Sequence, residues 1–498
     1  MAVAYMFIPM THRTIIPLLV LLSLGCQPAS RKESGSGTGK VVPSPGQYAY
    51  QQMETVGFIH FTVNTFTDKE WGYGDEDPAL FNPTELDAEQ WARVAREGGL
   101  KELILTAKHH DGFCLWPSAW TEHSVKNSPY RNGNGDIVRE FVDACRKYGL
   151  KVGLYLSPWD RNHPDYGRPA YITYYRNQLK ELLTGYGEIN EIWFDGANGG
   201  DGYYGGAYET RRIDRKTYYD WEHTFALVKE LQPGIKIFSD AGPDIRWVGN
   251  EKGFAGETFW SAISDRDLVI GASDPEYLNR GDPQGNRWIV GQCDVSIRPG
   301  WFYHAREDSL VKSPRELVDI YYKSVGRNAV LLLNLPPDRR GLIHEADADS
   351  LRAFRHILDR TFAADLAVGA SVQVGSKSRG AGNHRASFIT DADPGTYWIA
   401  RHADMPVEIL IKLGGKKSFD RIMLSEPIRI GQRISAFRME ARSPSGNWTE
   451  VARGTTIGYK RILRTGPVTT SELKLVIEDA LYAPAISHMG LYLSPPVE

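Results

Sequence analysis

The sequence predicts an α/β chain: a (β/α)8-like TIM barrel over residues 47–365, followed by a β-sandwich over 366–498. Three observations predict it. Near-continuous apolar, β-rich runs recur through the first part of the chain, and capped segments with helical periodicity lie between them. From about Ala367, short alternating runs separated by turn residues replace both. Runs that are apolar throughout suit strands buried on both faces, as in a parallel sheet, whereas alternation suits sheets with one wet face.

The elements follow in order. Thr11-His12-Arg13-Thr14 precedes an apolar run from Ile15 to Leu24, closed by Gly25-Cys26. A charged start, a short apolar stretch and a small residue before the break read as a secretory signal over 1–26, too short to span a bilayer. Its ending, Leu22-Ser23-Leu24-Gly25-Cys26, resembles a bacterial lipoprotein signal. That resemblance implies a lipid on Cys26, membrane attachment, and a periplasmic or outer-membrane place. Residues 27–46, rich in Ser, Gly and Lys as far as Ser44, suit a flexible tether.

Strands are expected at Val56–Phe61, Glu102–Ala107, Val152–Leu156, Glu191–Asp195, Ile235–Phe238, Trp288–Val290 and Ala329–Leu333. Asp87-Ala88-Glu89-Gln90 reads as a capping box, with Leu86 and Trp91 at hydrophobic-staple spacing and Gly98-Gly99 as the stop. Helical periods recur at Ile137–Lys147, Tyr174–Leu183 and Tyr218–Leu231, the last stopped by Pro233-Gly234. Strands alternating with helices over this length argue for a barrel. A doubly wound sheet is the rival, but no Gly-rich phosphate loop follows the first strand. Farther on, Glu408–Ile411, Arg421–Leu424, Glu450–Ala452 and Leu473–Ile477 read as sandwich strands.

Composition excludes several function classes. The 498 residues are 42% hydrophobic and 24% charged, which rules out wholesale disorder and collagen-like structure. A net charge of −3 gives no reason to expect nucleic acid or an anionic lipid surface as partner. After Cys26, the remaining Cys114, Cys145 and Cys293 have a spacing that fits neither a zinc site nor a disulfide framework, so buried free thiols are expected.

In a barrel, chemistry sits where strands run out into the following loops. Those places carry His60, Glu70 and Trp71 after the first strand, and Lys108-His109-His110-Asp111 after the second. The third offers Tyr155, Trp159 and Asp160; the fourth ends in Trp193-Phe194-Asp195-Gly196. Asp240 and Arg246-Trp247-Val248-Gly249-Asn250-Glu251 follow the fifth. Adjacent strand residues point to opposite faces, which argues against His109 and His110 sharing a metal. Asp195 closes a buried run, so it needs a partner or a task. Trp-rich surfaces suit the apolar faces of sugars, and glycosidic cleavage uses two carboxyl groups flanking the bond. Asp195 and Glu251 lie on consecutive strand-end loops, which makes that approach feasible.

Taken together, His60-Phe61, Glu70-Trp71, Lys108–Phe113, Trp193–Gly196 and Asn328–Asp338 resemble the α-L-fucosidases of glycoside hydrolase family 29. The resemblance spans roughly residues 47 to 360. It implies a retaining mechanism, with Asp195 as nucleophile and Glu251 as acid/base, Glu257 being the reserve. It places His60, His109 and His110 on the fucose hydroxyls, with Glu70 and Trp71 beside them; Tyr155, Trp193 and Arg246 complete the implied set. The segment Arg246–Glu251 resembles the branch that removes α-1,3- and α-1,4-linked fucose from branched glycans, so the implied partner is a fucosylated oligosaccharide or glycoconjugate. No cofactor or metal is implied. Beyond residue 366, Ile389-Thr390-Asp391 and Thr396-Tyr397-Trp398 resemble a galactose-binding-like sandwich, expected to brace the barrel. Two other readings stand beside this one: a catalytically dead, glycan-binding barrel, and a barrel glycosidase for another sugar such as galactose.

Overall fold

The computed structural model describes residues 41–266, 268–375, 383–401 and 405–496. The expected leader, Cys26 and most of the tether lie outside the described residues. Eight parallel strands close a barrel in chain order. They are β1 (Thr55–Ile59), β2 (Glu102–Lys108), β3 (Lys151–Leu156), β4 (Glu191–Trp193), β5 (Lys236–Ser239), β6 (Ile245–Trp247), β7 (Val290–Ser296) and β8 (Val330–Asn334). Closure is made by Thr55 to Phe58 of β1 against Leu331 to Asn334 of β8.

Both faces of this sheet are buried, which is why its strands lack alternation. Inside, Val56 and Phe58 meet Ile104, Tyr155, Trp193, Phe238, Ile245, Val290 and Leu332, so every strand feeds one cluster. Outside, residues such as Leu103, Leu154, Ile192, Ile237 and Leu333 pack against the helices. Helix Ala88–Glu97 shows the local logic. Asp87 Oδ1 accepts from the amides of Glu89 and Gln90, at 2.9 and 3.1 Å. The expected return bond from Gln90 is absent, however. Its amide pairs instead with both backbone groups of Ile343, tying the helix to the loop after β8.

Four expectations need correction. The sixth barrel strand is Ile245–Trp247, within the stretch read as a loop, and no helix separates it from β5. The run Trp288–Val290 is divided: Arg287–Trp288 pairs antiparallel with Ala262–Ile263, and the barrel strand begins at Val290. The end of the presumed tether is ordered, because Ser44 and Gln47 form a reciprocal capping box on helix Pro45–Gln51. That helix is tied to the barrel through Gln47 Nε2, which donates to the carbonyls of Trp288 and Asp244. Finally, two runs read as separate sandwich strands belong to one long strand, Val407–Ser425, paired with the equally long Arg461–Ala480.

The C-terminal domain is a β-sandwich of the galactose-binding-like kind, with its own core around Ile409, Phe437, Leu475 and Met489. It grips the segment that follows β6. Gln432 accepts from the Ser261 amide at 3.1 Å and donates to the Phe259 carbonyl at 2.8 Å. Cys114, Cys145 and Cys293 are free and buried.

Candidate active site

At the C-terminal ends of the strands lies a cavity of about 370 Å³. His60, Glu70, Trp71, His109, His110, Tyr155, Trp193, Asp195 and Glu251 all line it, so the structure brings nine of the eleven expected residues together.

Two do not join them. Arg246 is fully buried, and its guanidinium donates to the carbonyls of Trp260, Ser261, Leu278 and Ile289. It faces away from the cavity and serves as a knot for the loops after β6. Glu257 is 64% exposed and bound to Arg327 and Arg461, so it pins barrel to sandwich. Asp160, another strand-end acid, is spent on a buried ion pair with Lys108 at 3.0 Å.

Asp195 sits just past the end of β4. The Ala197 amide donates to its Oδ1 at 2.7 Å, and the Tyr155 hydroxyl donates to its Oδ2 at 3.1 Å. Two donors on two oxygens suit an ionised carboxylate. Burial and the Asp195 charge push the Tyr155 hydroxyl well above its usual range, so it remains a donor. Gly196 follows for a steric reason: a Cβ there would lie 2.8 Å from Asp240 Oδ2.

Glu251 occupies the loop after β6. Burial raises its carboxyl above the ordinary value, the Trp301 indole N–H at 3.2 Å opposes this, and the charges of Asp195 and Glu70 add to the rise. The two carboxyls therefore differ in environment. One accepts from two donors, and the other is raised by burial.

Two imidazoles, those of His60 and His110, are fixed as acceptors at Nε2. Asn334 Nδ2 donates to Ser296 Oγ and to the Trp301 carbonyl, which orients Asn334 Oδ1 toward His60 Nδ1 at 2.8 Å. His60 must then donate from Nδ1, leaving Nε2 as an acceptor. Likewise Ser157 gives its proton to the Trp159 carbonyl and accepts from His110 Nδ1 at 2.7 Å. Burial pushes His60 down to about 3 and His110 to about 4, so both rings are neutral at pH 7. His110 Nε2 stands 3.9 Å from Asp195 Oδ2.

His109 and His110 both reach the cavity, with ring centroids 4.1 Å apart, contrary to the alternation argument. The reason is that β2 ends at Lys108, so the pleat no longer governs them. Among the described residues, no three His, Cys, Asp or Glu side chains form a metal cage.

Glu70 plays a supporting part. It accepts from the amides of Trp301 and Phe302 and from His304 Nε2, at 2.7–3.1 Å, and so holds the loop after β7 over the cavity. Trp71, 53% exposed, stands at the mouth with its ring against His110 and Trp159. Trp193 forms the apolar floor, stacked 4.0 Å from Phe238.

Sequence reasoning missed Trp301, Asp294, Gly271, Ala272, Ser273 and Pro275, all of which line the cavity. The signal for Trp301 was its place a few residues beyond a strand whose end had been misplaced.

A family model described as Alpha-L-fucosidase matches residues 42–360. The chain belongs to the α-L-fucosidase family. It is accordingly a glycoside hydrolase, and a model described as F5/8 type C domain matches its residues 371–488. Alpha-L-fucosidase 1 of Arabidopsis thaliana is 44% identical over 459 residues, 91% of this chain and 87% of that one. A glycoside hydrolase 29 family member from an unknown rumen bacterium has TM-score 0.84 at 46% identity, covering 93% of this chain and 79% of that one. A Ruminococcus gnavus GH29 fucosidase in complex with fucose has TM-score 0.82 at 35% identity, with coverage of 94% and 98%.

Proposed function

We propose that this α-L-fucosidase is a retaining enzyme that removes terminal α-1,3- and α-1,4-linked fucose from branched glycans. The observation that carries the mechanism is the pair of unlike carboxyls in one cavity. Asp195 is fixed by two donors, and burial holds Glu251 toward its protonated form.

In the first step the Asp195 carboxylate attacks the anomeric carbon. The bond from that carbon to the leaving oxygen breaks, and the Glu251 proton passes to that oxygen. The aglycone departs and a fucosyl ester on Asp195 remains. In the second step Glu251, now ionised, takes a proton from water as the water attacks the anomeric carbon. The ester bond breaks and the Asp195 carboxylate returns. Nε2 of His60 and of His110 accept from fucose hydroxyls, while Phe58, Trp193 and Phe238 supply apolar surface for the C6 methyl.

The linkage reading rests on the similarity of segment 246–251 to the α-1,3/1,4 branch. Free fucose released from a Lewis-type trisaccharide, beside an α-1,2-fucosyl control, tests it. Release from the branched sugar alone is expected; equal release from both contradicts the preference.

The leader supports export and a lipid on Cys26, placing the enzyme on a periplasmic or outer-membrane surface. A Cys26→Ser variant is then expected in the soluble fraction and the wild type with membranes; the same fraction for both contradicts this.

A further inference from the structure

The reaction sequence above makes no use of Asp294, an inward-facing acid on β7 that lines the cavity and is 5% exposed. An Asp is a poor strand residue, and burying one is costly unless it is well partnered. Its Oδ1 accepts from the Trp247 indole N–H at 2.9 Å, and its backbone carbonyl accepts from the Gly253 amide at 3.1 Å. Trp247 ends β6, and Gly253 lies two residues beyond Glu251. One residue therefore grips the acid-bearing loop on both sides of Glu251.

The loop between these anchors is stiff. Asn250 Nδ2 donates to the Phe254 carbonyl at 2.9 Å, and Asn250 Oδ1 accepts from the Lys252 amide at 3.1 Å. Gly253 has φ +74°, and a Cβ there would lie 3.0 Å from Val295 Cγ1, so the loop returns flush against β7. Trp301 holds the Glu251 carboxyl from a different loop, at 3.2 Å.

We infer that Asp294 is a positioning residue for the general acid: through Trp247 and Gly253 it holds the Glu251 carboxyl where the leaving oxygen is protonated. The inference rests on the reading of Glu251 given above. Burial, with the Glu251 charge second, pushes Asp294 well above the usual carboxylate range.

The test compares kcat/KM for a phenyl fucoside, whose leaving oxygen needs a proton, with a dinitrophenyl fucoside, whose leaving oxygen does not. Glu251→Gln sets the full size of that difference. Asp294→Ala is expected to lose about 10- to 100-fold on the phenyl fucoside and about threefold or less on the dinitrophenyl fucoside. Asp294→Asn keeps an oxygen for the indole and is expected to recover most of the loss. Trp247→Phe removes the other end of the same hydrogen bond, is expected to repeat the pattern, and decides the matter if Asp294→Ala does not fold.

An equal loss on both substrates overturns the inference, as does an Asn variant as impaired as the Ala variant. If Glu251→Gln itself loses equally on both, the assignment of Glu251 as the acid fails, and the inference about Asp294 falls with it.

Discussion

The indole N–H of Trp301 donates to Glu251 Oε2 at 3.2 Å, joining the loop after β7 to the loop after β6 across the mouth of the barrel. This contact favours the ionised carboxyl, while burial and two neighbouring anions, Asp195 and Glu70, favour the protonated one. The balance leaves Glu251 raised.

Replacing Trp301 by Phe removes only the favourable donor, so the Glu251 pKa rises further. As the proposed general acid, Glu251 works only while protonated. The alkaline limb of the kcat/KM profile therefore moves to higher pH in Trp301→Phe. A pH profile on an aryl fucoside reads the shift, and a limb that stays in place or moves down contradicts the assignment.

Arg246 is expected to matter through stability. Truncation in Arg246→Ala takes the guanidinium donor from the carbonyls of Trp260, Leu278 and Ile289, while Ser261 keeps the Ile289 amide, and opens a cavity. A loss of about 3–5 kcal/mol follows, as for other broken buried networks. Denaturant unfolding measures it. A fully stable variant with weakened fucose binding would instead return Arg246 to the cavity wall.

Glu257 serves as the contrasting control. Its carboxylate holds Arg327 and Arg461 at the surface where barrel meets sandwich. Exposed pairs contribute little, so Glu257→Ala is expected to cost about 1 kcal/mol of stability. Its kcat/KM on an aryl fucoside stays within about twofold, as for a surface substitution away from the chemistry. A loss of several orders of magnitude would make Glu257, and not Glu251, the acid.

Much of this was legible in the residues. Long apolar runs such as Leu103–Ala107 declare a strand buried on both faces, and Asp195 at the end of such a run declares a site. What escaped has a common physical cause. The strand Ile245–Trp247 is too short to show a period, and residues 240–244 are too few to form the helix that would have announced it. β7 carries Gln292, Asp294 and Ser296 on its inner face, where they bond other polar groups, so it does not read as apolar. Gln292, for example, accepts from the Trp193 indole at 2.9 Å. With the end of β7 misplaced, the loop that delivers Trp301 could not be found. Arg246 and Glu257 resemble site residues in type and position; only their neighbours show that one ties loops together and the other joins domains.

The central claim is double displacement by Asp195 and Glu251, and the anomeric form of the first-formed fucose tests it most directly. Proton NMR during early hydrolysis of an aryl α-L-fucoside should show α-fucose appearing first, with the β-anomer growing only as mutarotation proceeds. β-Fucose appearing first would mean inversion. Asp195 would then be no nucleophile, and the assignment of both carboxyls would fail.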